Sequence, residues 1–222
     1  AAMEQLYTWM RETRTSGTEW YYYKFDVAKF FYRIVHEILM DICRKKIDDP
    51  RTIDLLGYYI NNDAVPFGMP LDANQLTITE EQMLYDLGIP IGGGLSHMLG
   101  NMYLDPLDQF CKRGLGIKRY IRYMDDIIIL DNDKERLKEY GRRMTQFLEE
   151  RLHLNFNNKT ALRPVRVGCE FGGFVIYNDH EILRKSTTLR MKRTLRKTRQ
   201  DYHDNLITFK EANATMQSYL AM

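Results

Sequence analysis

The chain has 222 residues, 44% of them hydrophobic, which is enough to bury the core of one domain with at most a smaller appendage. It contains no apolar run near the ~20 residues that a membrane-spanning helix needs, and its first residues lack the basic and apolar regions of a signal peptide. The three cysteines are scattered, without metal-ligand spacing, which favours reduced thiols. We therefore expect a cytoplasmic protein without a membrane segment.

The net charge of +2 hides a basic segment near the C-terminus. Removing its eight cations from the 32 basic residues leaves 24, against 30 acidic residues. Such a run is either a solvated helix face or a surface for a polyanion, because phosphate neutralisation dominates nucleic-acid affinity. The cations are Arg184, Lys185, Arg190, Lys192, Arg193, Arg196, Lys197 and Arg199.

The periodicity of apolar residues predicts an ordered series of helices and strands. An aromatic run over residues 20–27 indicates a strand that ends at Asp26. Two further strands, over 117–124 and 127–130, are joined by an acidic turn, and several short strands follow within 154–178. Residues 61–88 are rich in loop-forming residues. The predicted helices cover residues 3–13, 29–46, 51–60, 96–111, 133–152, 187–203 and 208–220. This order predicts an α+β domain in which helices cover one face of a mainly antiparallel sheet.

Two adjacent carboxylates, Asp125 and Asp126, stand between two apolar β segments. Asp is a common turn residue, so a plain hairpin tip is one interpretation, although hairpin turns usually carry Gly or Asn and this one has neither. At an effective dielectric near 20, like charges ~4 Å apart repel by roughly 4 kcal/mol. A divalent cation removes that penalty, and carboxylate oxygens are the ligands that Mg²⁺ prefers.

A third carboxylate, Asp26, ends a strand earlier in the chain, and acids at the ends of neighbouring strands can meet in space. Because adjacent strand residues point to opposite faces, we expect Asp125 to face Asp26 directly and Asp126 to be a secondary ligand. Two metal ions ~3.5–4 Å apart would activate an attacking 3′-hydroxyl and stabilise a leaving pyrophosphate. The residues alone thus predict a metal-dependent phosphoryl-transfer site.

Three segments resemble motifs of reverse transcriptases of the prokaryotic retroelement type, in the order and near the spacing of that family. Residues 123–126 (Tyr-Met-Asp-Asp) resemble its Tyr-x-Asp-Asp box, and residues 26–31 its first palm motif. Residues 88–97, with 101–108, resemble the intervening motif and its helix. The likeness extends from about residue 20 to 200. It implies an RNA-directed DNA polymerase with a reverse-transcriptase palm, partial fingers and a helical thumb.

The resemblance assigns roles to individual residues. Asp26, Asp125 and Asp126 would bind two Mg²⁺ ions, with Mn²⁺ as a substitute and the backbone carbonyl of Val27 as a further ligand. Phe31 matches an aromatic steric gate whose ring collides with a ribose 2′-hydroxyl, while a core aromatic at a helix start is the structural alternative. The other nucleotide-binding candidates are Ile91, Gly92, Ser96 and Met124.

Further roles concern the nucleic acid. Lys159 resembles the lysine that protonates the leaving pyrophosphate, although a solvated loop lysine would look the same in sequence. Phe171, Gly172 and Gly173 resemble the primer-grip hairpin that positions the 3′ end. The basic segment lies where the family's thumb helices track the duplex, which favours phosphate binding over a solvated face. Tyr120, Arg122, Arg163 and Arg166 are unspecific additional candidates for contacts with nucleic acid.

On this alignment residues 1–19 are a remnant of the fingers or a palm helix, and 20–165 form the palm with a fingers insertion around 45–88. Residues 166–180 form the primer-grip hairpin and 181–222 the basic thumb. The expected partners are an RNA template, a DNA or RNA primer and dNTPs, and an accessory protein or a structured RNA would also fit. The family's N-terminal fingers motifs are expected well before residue 20, where only about twenty residues stand.

The middle motif departs from most of the family. Retroviral, retron and group II intron enzymes generally have Gln before its glycine and Ser-Pro later, where this chain has Ile91 and Ser96-His97. The apolar residue resembles enzymes of diversity-generating retroelements, although His97 does not match their Gln. This resemblance implies a prokaryotic or phage-encoded enzyme. Because Ile91 removes a hydrogen-bonding side chain beside the nascent base pair, we hypothesise reduced copying fidelity.

Two alternatives stay open at this point. An antiviral or abortive-infection type of reverse transcriptase would keep the same acids and make untemplated DNA. A maturase-like RNA-binding scaffold would have no catalytic activity. The three acids and Phe31 argue against the scaffold, because a binding module has no use for a repulsive carboxylate cluster.

Overall fold

A computed structural model describes residues 2–61 and 65–220. Its helices are α1 (Ala2–Thr13), α2 (Phe30–Arg33), α3 (His36–Arg44), α4 (Pro50–Ile60), α5 (Gly94–Gln109), α6 (Lys134–Leu152), α7 (Lys185–His203) and α8 (Phe209–Leu220). Its strands are β1 (Tyr21–Asp26), β2 (Tyr120–Tyr123), β3 (Asp126–Asp131), β4 (Ala161–Pro164), β5 (Cys169–Phe171), β6 (Phe174–Ile176) and β7 (Glu181–Leu183). Short 3₁₀ turns occupy Glu80–Gln82 and Val165–Val167, and a π-helical turn occupies Phe110–Gly114.

The central sheet has four antiparallel strands in the order β2-β3-β1-β4. Strand residues alternate between the two faces, and the burial of this sheet follows that rule. Phe25, Ile127 and Ile129 belong to one apolar cluster, and Tyr22 and Ile128 to the other. Both faces are therefore covered, which explains why β3 reads as a continuous apolar run.

The larger cluster joins the sheet to α3, α4, α5 and α6. Helix α6 begins after Asp133, whose carboxylate accepts hydrogen bonds from the amides of Glu135 and Arg136, as a helix N-cap does. The helix lies so close to β1 that a Cβ added at Gly141 would be 2.5 Å from Tyr23. Only glycine permits that approach.

The smaller cluster covers the opposite face, where α1 packs through Leu6 and Met10. It also contains Phe171 and Ile176 of a second antiparallel sheet, ordered β5-β6-β7. The sequence predicted helices on one face, and α1 is the exception: together with the small sheet, it buries residues that would otherwise be exposed. The α+β arrangement itself is confirmed.

The predicted helix over residues 29–46 is wrong in its middle. Ile34 and Val35 are extended and separate α2 from α3. Val35 forms a β-bridge with Leu87, and the carbonyl of Ile34 accepts the amide of Gly88 at 2.8 Å. These long-range contacts override a local helical period. Most other predicted elements are present within a few residues, and the loop-rich stretch 61–88 is confirmed apart from residues 62–64, which lie outside the described residues.

Two findings bear on the expectations from composition. Within the described residues, none of the helices combines the length and apolar character needed to cross a bilayer. Cys43, Cys111 and Cys169 are all buried and unpaired.

Candidate active site

The three aspartates converge at one end of the central sheet, where β1 ends beside the turn of the β2–β3 hairpin. Strand pairing places Asp126, not Asp125, opposite Asp26, so the predicted facing of Asp125 and Asp26 needs correction. The hairpin closes with the two-residue turn Met124-Asp125, and the alternation rule does not apply to a residue outside the strand. Asp125 still lies beside the other two, because its carbonyl accepts the amide of Val27 at 3.3 Å.

The turn that carries Asp125 has an unusual backbone. Met124 has a φ of 56°, a left-handed conformation that costs a non-glycine residue about 1–3 kcal/mol. Such a conformation persists only where surrounding contacts hold it. The contacts around the turn therefore hold Met124 in this conformation and thereby fix the position of Asp125.

Burial and mutual repulsion act on these acids. Burial raises the pKa of Asp26, and the charges of Asp125 and Asp126 raise it further. Burial and the charge of Asp126 likewise raise the pKa of Asp125. The carboxylate of Asp126 is ion-paired with Lys24 at 3.0 Å, yet its buried Oδ1 accepts no hydrogen bond within the described chain. The two observations are compatible, because the ammonium group of Lys24 neutralises the carboxylate of Asp126 at a distance of 3.0 Å without the angle of a hydrogen bond.

These features fit a divalent cation in donor type and charge. Asp26, Asp125 and Asp126 supply oxygen ligands, and Oδ1 of Asp126, which forms an ion pair with Lys24 but accepts no hydrogen bond within the described chain, lies beside two further carboxylates. The carboxylates do not form a preorganised metal site. Within residues 2–61 and 65–220, no three His, Cys, Asp or Glu side chains are arranged to hold a metal ion. Binding would therefore require small side-chain movements.

Phe31 lies on helix α2, five residues after Asp26 at the end of β1. Its ring is half-buried, 5.9 Å from the ring of His97 and 5.1 Å from that of Phe30. The carbonyl of Phe31 accepts the amide of Ile89 at 2.9 Å. The structure thus holds Phe31 against the middle motif on one side and leaves part of its ring uncovered.

The remaining nucleotide-binding candidates fall into two groups. Ile91 is 54% exposed, and Gly92 has a left-handed φ of 101° with no atom within 4 Å of an added Cβ. Met124 is half-buried in the turn. Ser96, by contrast, is fully buried, and its hydroxyl pairs with that of Tyr59 at 3.0 Å. The expectation that Ser96 touches a nucleotide therefore needs correction, because its side chain is used to fix helix α5.

The primer-grip candidates form a tight β5–β6 turn in which Gly172 and Gly173 have φ of 57° and 91°. Both values favour glycine. Phe171 is only 2% exposed, and its ring meets that of Tyr123 edge-on at 6.2 Å. The turn, rather than the ring of Phe171, is therefore the part that the hairpin can present to a ligand.

Lys159 lies on an exposed loop whose geometry is set by Asn157. The side-chain oxygen of Asn157 accepts the amide of Lys159 at 2.9 Å, and its amide group donates to the carboxylate of Asp26. Lys159, Asp26 and Asp126 line one cavity of about 490 Å³. Lys159 is thus close enough to lower the pKa of Asp26, against the larger effect of burial.

The basic segment forms helix α7 and the residue before it. All of its eight cations are exposed, and none forms an ion pair with a described carboxylate. Arg190, Arg193 and Lys197 share one side of the helix at helical spacing. An unpaired cationic face of this kind is free for a polyanion.

Sequence reasoning missed two partners of the acids, Lys24 and Asn157. Lys24 stands two residues before Asp26 on the same strand face, so alternation alone was a usable signal. Asn157 comes from a distant loop, and no local pattern marks it. Arg122 was considered a contact for nucleic acid, but its side chain is buried against Asp108, as is that of Tyr120.

Comparison with known proteins agrees with this geometry. A search of curated proteins finds Protein YkfC of Escherichia coli (strain K12), 24% identical over 193 residues, covering 72% of this chain and 46% of YkfC. Telomerase from Candida tropicalis, in complex with a TWJ fragment of telomeric RNA, superposes with a TM-score of 0.64 at 14% identity over 98% of this chain and 40% of that one. The corresponding Candida albicans complex gives 0.58 at 11% identity, covering 82% and 34%.

The chain spans less than half the length of these relatives. The structural similarity shows that the fold is the palm fold of telomerase and reverse transcriptases. The family model described as "Reverse transcriptase (RNA-dependent DNA polymerase)" matches residues 2–176, which include all three aspartates and the hairpin. The chain therefore belongs to the reverse transcriptase family.

Proposed function

We propose that this chain is the catalytic core of an RNA-directed DNA polymerase, which adds deoxynucleotides to a primer 3′-hydroxyl. The observation that carries the proposal is the convergence of Asp26, Asp125 and Asp126 at one end of the central sheet. Membership of the family supports it. A non-catalytic fold would gain nothing from burying acids that repel each other.

Asp26, Asp125 and Asp126 would hold two Mg²⁺ ions, or Mn²⁺ in their place, with the carbonyl of Val27 as a further ligand. Bound there, the ions supply activation of the 3′-hydroxyl and charge stabilisation of the leaving pyrophosphate. Lys159 faces the same cavity as two of the acids and would donate a proton to the pyrophosphate. Asn157 orients both the Asp26 carboxylate and the Lys159 loop through its two hydrogen bonds.

The proposed function also assigns each segment of the chain to a part of a polymerase. Residues 20–165 would be the palm, with a fingers insertion around 45–88, and 166–180 the primer grip. Residues 181–222 would be the basic thumb. Residues 1–19 were expected to be a fingers remnant or a palm helix, and the packing of α1 against the sheet supports the palm helix. The match to YkfC supports a prokaryotic or phage origin, with the diversity-generating type as the proposed subfamily.

Helix α7 would bind the phosphates of the primer–template duplex. Its exposed, unpaired cations support this role, and each phosphate contact releases counterions, so affinity falls as salt rises. Arg184 directly precedes α7 and lines the cavity that contains Asp26. With Lys185, the first residue of α7, it would extend the same surface toward that cavity. Contacts of this type hold the duplex without reading its sequence.

Neutralising α7 is expected to weaken binding of primer–template uniformly across sequences. In a triple variant (Arg190→Gln, Arg193→Gln, Lys197→Gln), the slope of log K against log salt should fall by about 0.9 per lost contact. Fluorescence anisotropy at several salt concentrations measures this slope. The control replaces three exposed cations of helix α6 (Lys138→Gln, Arg142→Gln, Arg143→Gln), a helix that packs in the larger apolar cluster. Equal slopes for the two variants would contradict the proposed role of α7.

Ile91 is proposed to lower copying fidelity. It is exposed at the start of the middle motif, where a hydrogen-bonding side chain would sense a misplaced base. Ile91→Gln is therefore expected to reduce misincorporation by roughly tenfold, since a lost polar contact is worth about 1–2 kcal/mol. Sequencing of cDNA copies gives the frequency, with Ile91→Leu as the size-matched control. An unchanged frequency in Ile91→Gln would refute the idea.

Primer extension on an RNA template tests the proposed function. With Mg²⁺ and dNTPs, we expect extension whose sequence is complementary to the template. Extension without complementarity would instead identify the antiviral type that makes untemplated DNA. Binding of RNA without any extension would identify a maturase-like scaffold. Repeating the assay with added cell extract or a structured RNA tests the expected accessory partner.

A further inference from the structure

The side chain of Arg122 forms a buried network behind the acidic turn. It is 9% exposed and pairs with Asp108, 18% exposed, through Nη2–Oδ2 and Nε–Oδ1 distances of 2.6 and 2.8 Å. This is the bidentate geometry that gives Arg–carboxylate pairs their directional strength. The hydroxyl of Tyr120 donates to Oδ1 of Asp108 at 2.6 Å. The carboxylate is thus fixed by two neighbours from strand β2.

The same guanidinium reaches the strained turn and helix α5 at once. Nη1 donates to the carbonyl of Met124 at 3.0 Å and to the side-chain oxygen of Asn101 at 2.9 Å. Asn101 and Asp108 lie seven residues apart on α5, which places them on one face of the helix. Arg122 therefore binds the residue with the left-handed backbone directly to a rigid helix.

We infer that Arg122 is a positioning residue, which holds the Met124 turn in its strained conformation and so sets the direction of Asp125. Helix α5 begins at Gly94, two residues after the exposed Gly92, so the network also connects the proposed nucleotide-facing motif to the proposed metal-binding acids. The inference rests on the proposed function for its effect on catalysis. Its structural part, the ordering of the turn by Arg122, stands on the contacts alone.

Arg122→Lys keeps the charge and loses the bidentate pair. For this variant we expect kcat for dNTP addition to fall by about 10–100-fold, as with lost outer partners of metal sites. The Mg²⁺ concentration for half-maximal rate should rise, while Kd for primer–template stays within about twofold, since phosphate contacts elsewhere supply that affinity. Hydrogen exchange of the peptide over residues 120–127 should become faster in the protein without metal.

The matched control is Arg136→Lys. Arg136 also forms a two-bond pair, with Asp131 at the far end of strand β3, so it reports the loss of such a pair away from the turn. Asn101→Ala, which removes one acceptor at an exposed position, should shift both measurements in the same direction by a smaller amount. Asn101→Ala tests the positioning role of Arg122 in the case that Arg122→Lys does not fold.

The exchange measurement separates the two hypotheses. If wild-type protein extends no primer, the proposed function fails, and faster exchange in Arg122→Lys than in Arg136→Lys still supports the positioning role. Unchanged exchange at residues 120–127 would overturn the inference, whatever the activity. A lower Tm with unchanged kcat and Mg²⁺ dependence would overturn it too, because the pair would then contribute stability alone.

Discussion

Asp125→Asn is expected to abolish template-directed extension, with a fall of on the order of a thousandfold or more in kcat. The variant keeps the size and one oxygen of the side chain and removes the negative charge that a divalent cation needs, which is worth several kcal/mol in the transition state. Primer extension under saturating dNTP measures the fall. Binding of primer–template should be unchanged, because helix α7 lies outside the acidic site.

The thermal stability of Asp125→Asn should not fall with its activity. In the metal-free protein Asp125 is half-buried beside Asp126, and burial raises its pKa, so its charge destabilises the fold at neutral pH. We expect Asp125→Asn to have an equal or higher Tm without Mg²⁺. The control Asp131→Asn removes a carboxylate from the other end of β3, where Arg136 holds the pKa of Asp131 below its usual value despite burial. That variant should lose stability and keep activity. Full extension by Asp125→Asn would show that the acids do not perform the chemistry.

Phe31→Val is expected to admit ribonucleotides. Removing the ring opens the space that a 2′-hydroxyl would occupy, so the preference for deoxynucleotides, measured as the ratio of kcat/KM values, should fall by about 10–100-fold. Rates for deoxynucleotides should fall less, because the backbone of Phe31 stays bound to Ile89. Single-nucleotide extension with dNTP and rNTP pairs gives both values.

The control at this position is Phe31→Tyr, which keeps a ring of the same size in the same place and should retain the preference. A melting curve identifies the general cost of the smaller side chain, since the ring of Phe31 packs against Gly100. An unchanged ratio in Phe31→Val would assign Phe31 to the core and leave sugar selection to another group.

Local patterns were sufficient for the elements that place the site. The aromatic strand before Asp26, the apolar strands around Asp125 and the long amphipathic helix α6 each have an unambiguous period, and all three are present. The sequence also located the three acids and the two-glycine turn between β5 and β6, and the primer-grip role of that turn stays a prediction. These features depend on residues that are close together in the chain.

The errors concern contacts between distant segments. The hairpin turn falls at Met124-Asp125, one residue from where alternation alone placed the strand end, and this shift decides which aspartate faces Asp26. Ser96 is buried because Tyr59 of α4 meets it. Asn157 contacts Asp26 from a loop, and Arg122 contacts the Met124 carbonyl from the back of the hairpin. The periodicity of apolar residues does not predict these long-range contacts, because each of them forms only in the assembled fold.

The edge-on contact of Tyr123 with Phe171 ties the acidic turn to the β5–β6 hairpin, and both hairpins are anchored in the same apolar cluster. A shift of one hairpin along the sheet would therefore break its packing against the other. If this pair holds the primer end and the metal ions, the distance between them stays constant through every cycle of addition. Translocation is then a movement of the duplex across a fixed frame, and the sequence-independent cations of α7 are suited to let it slide by one nucleotide at a time.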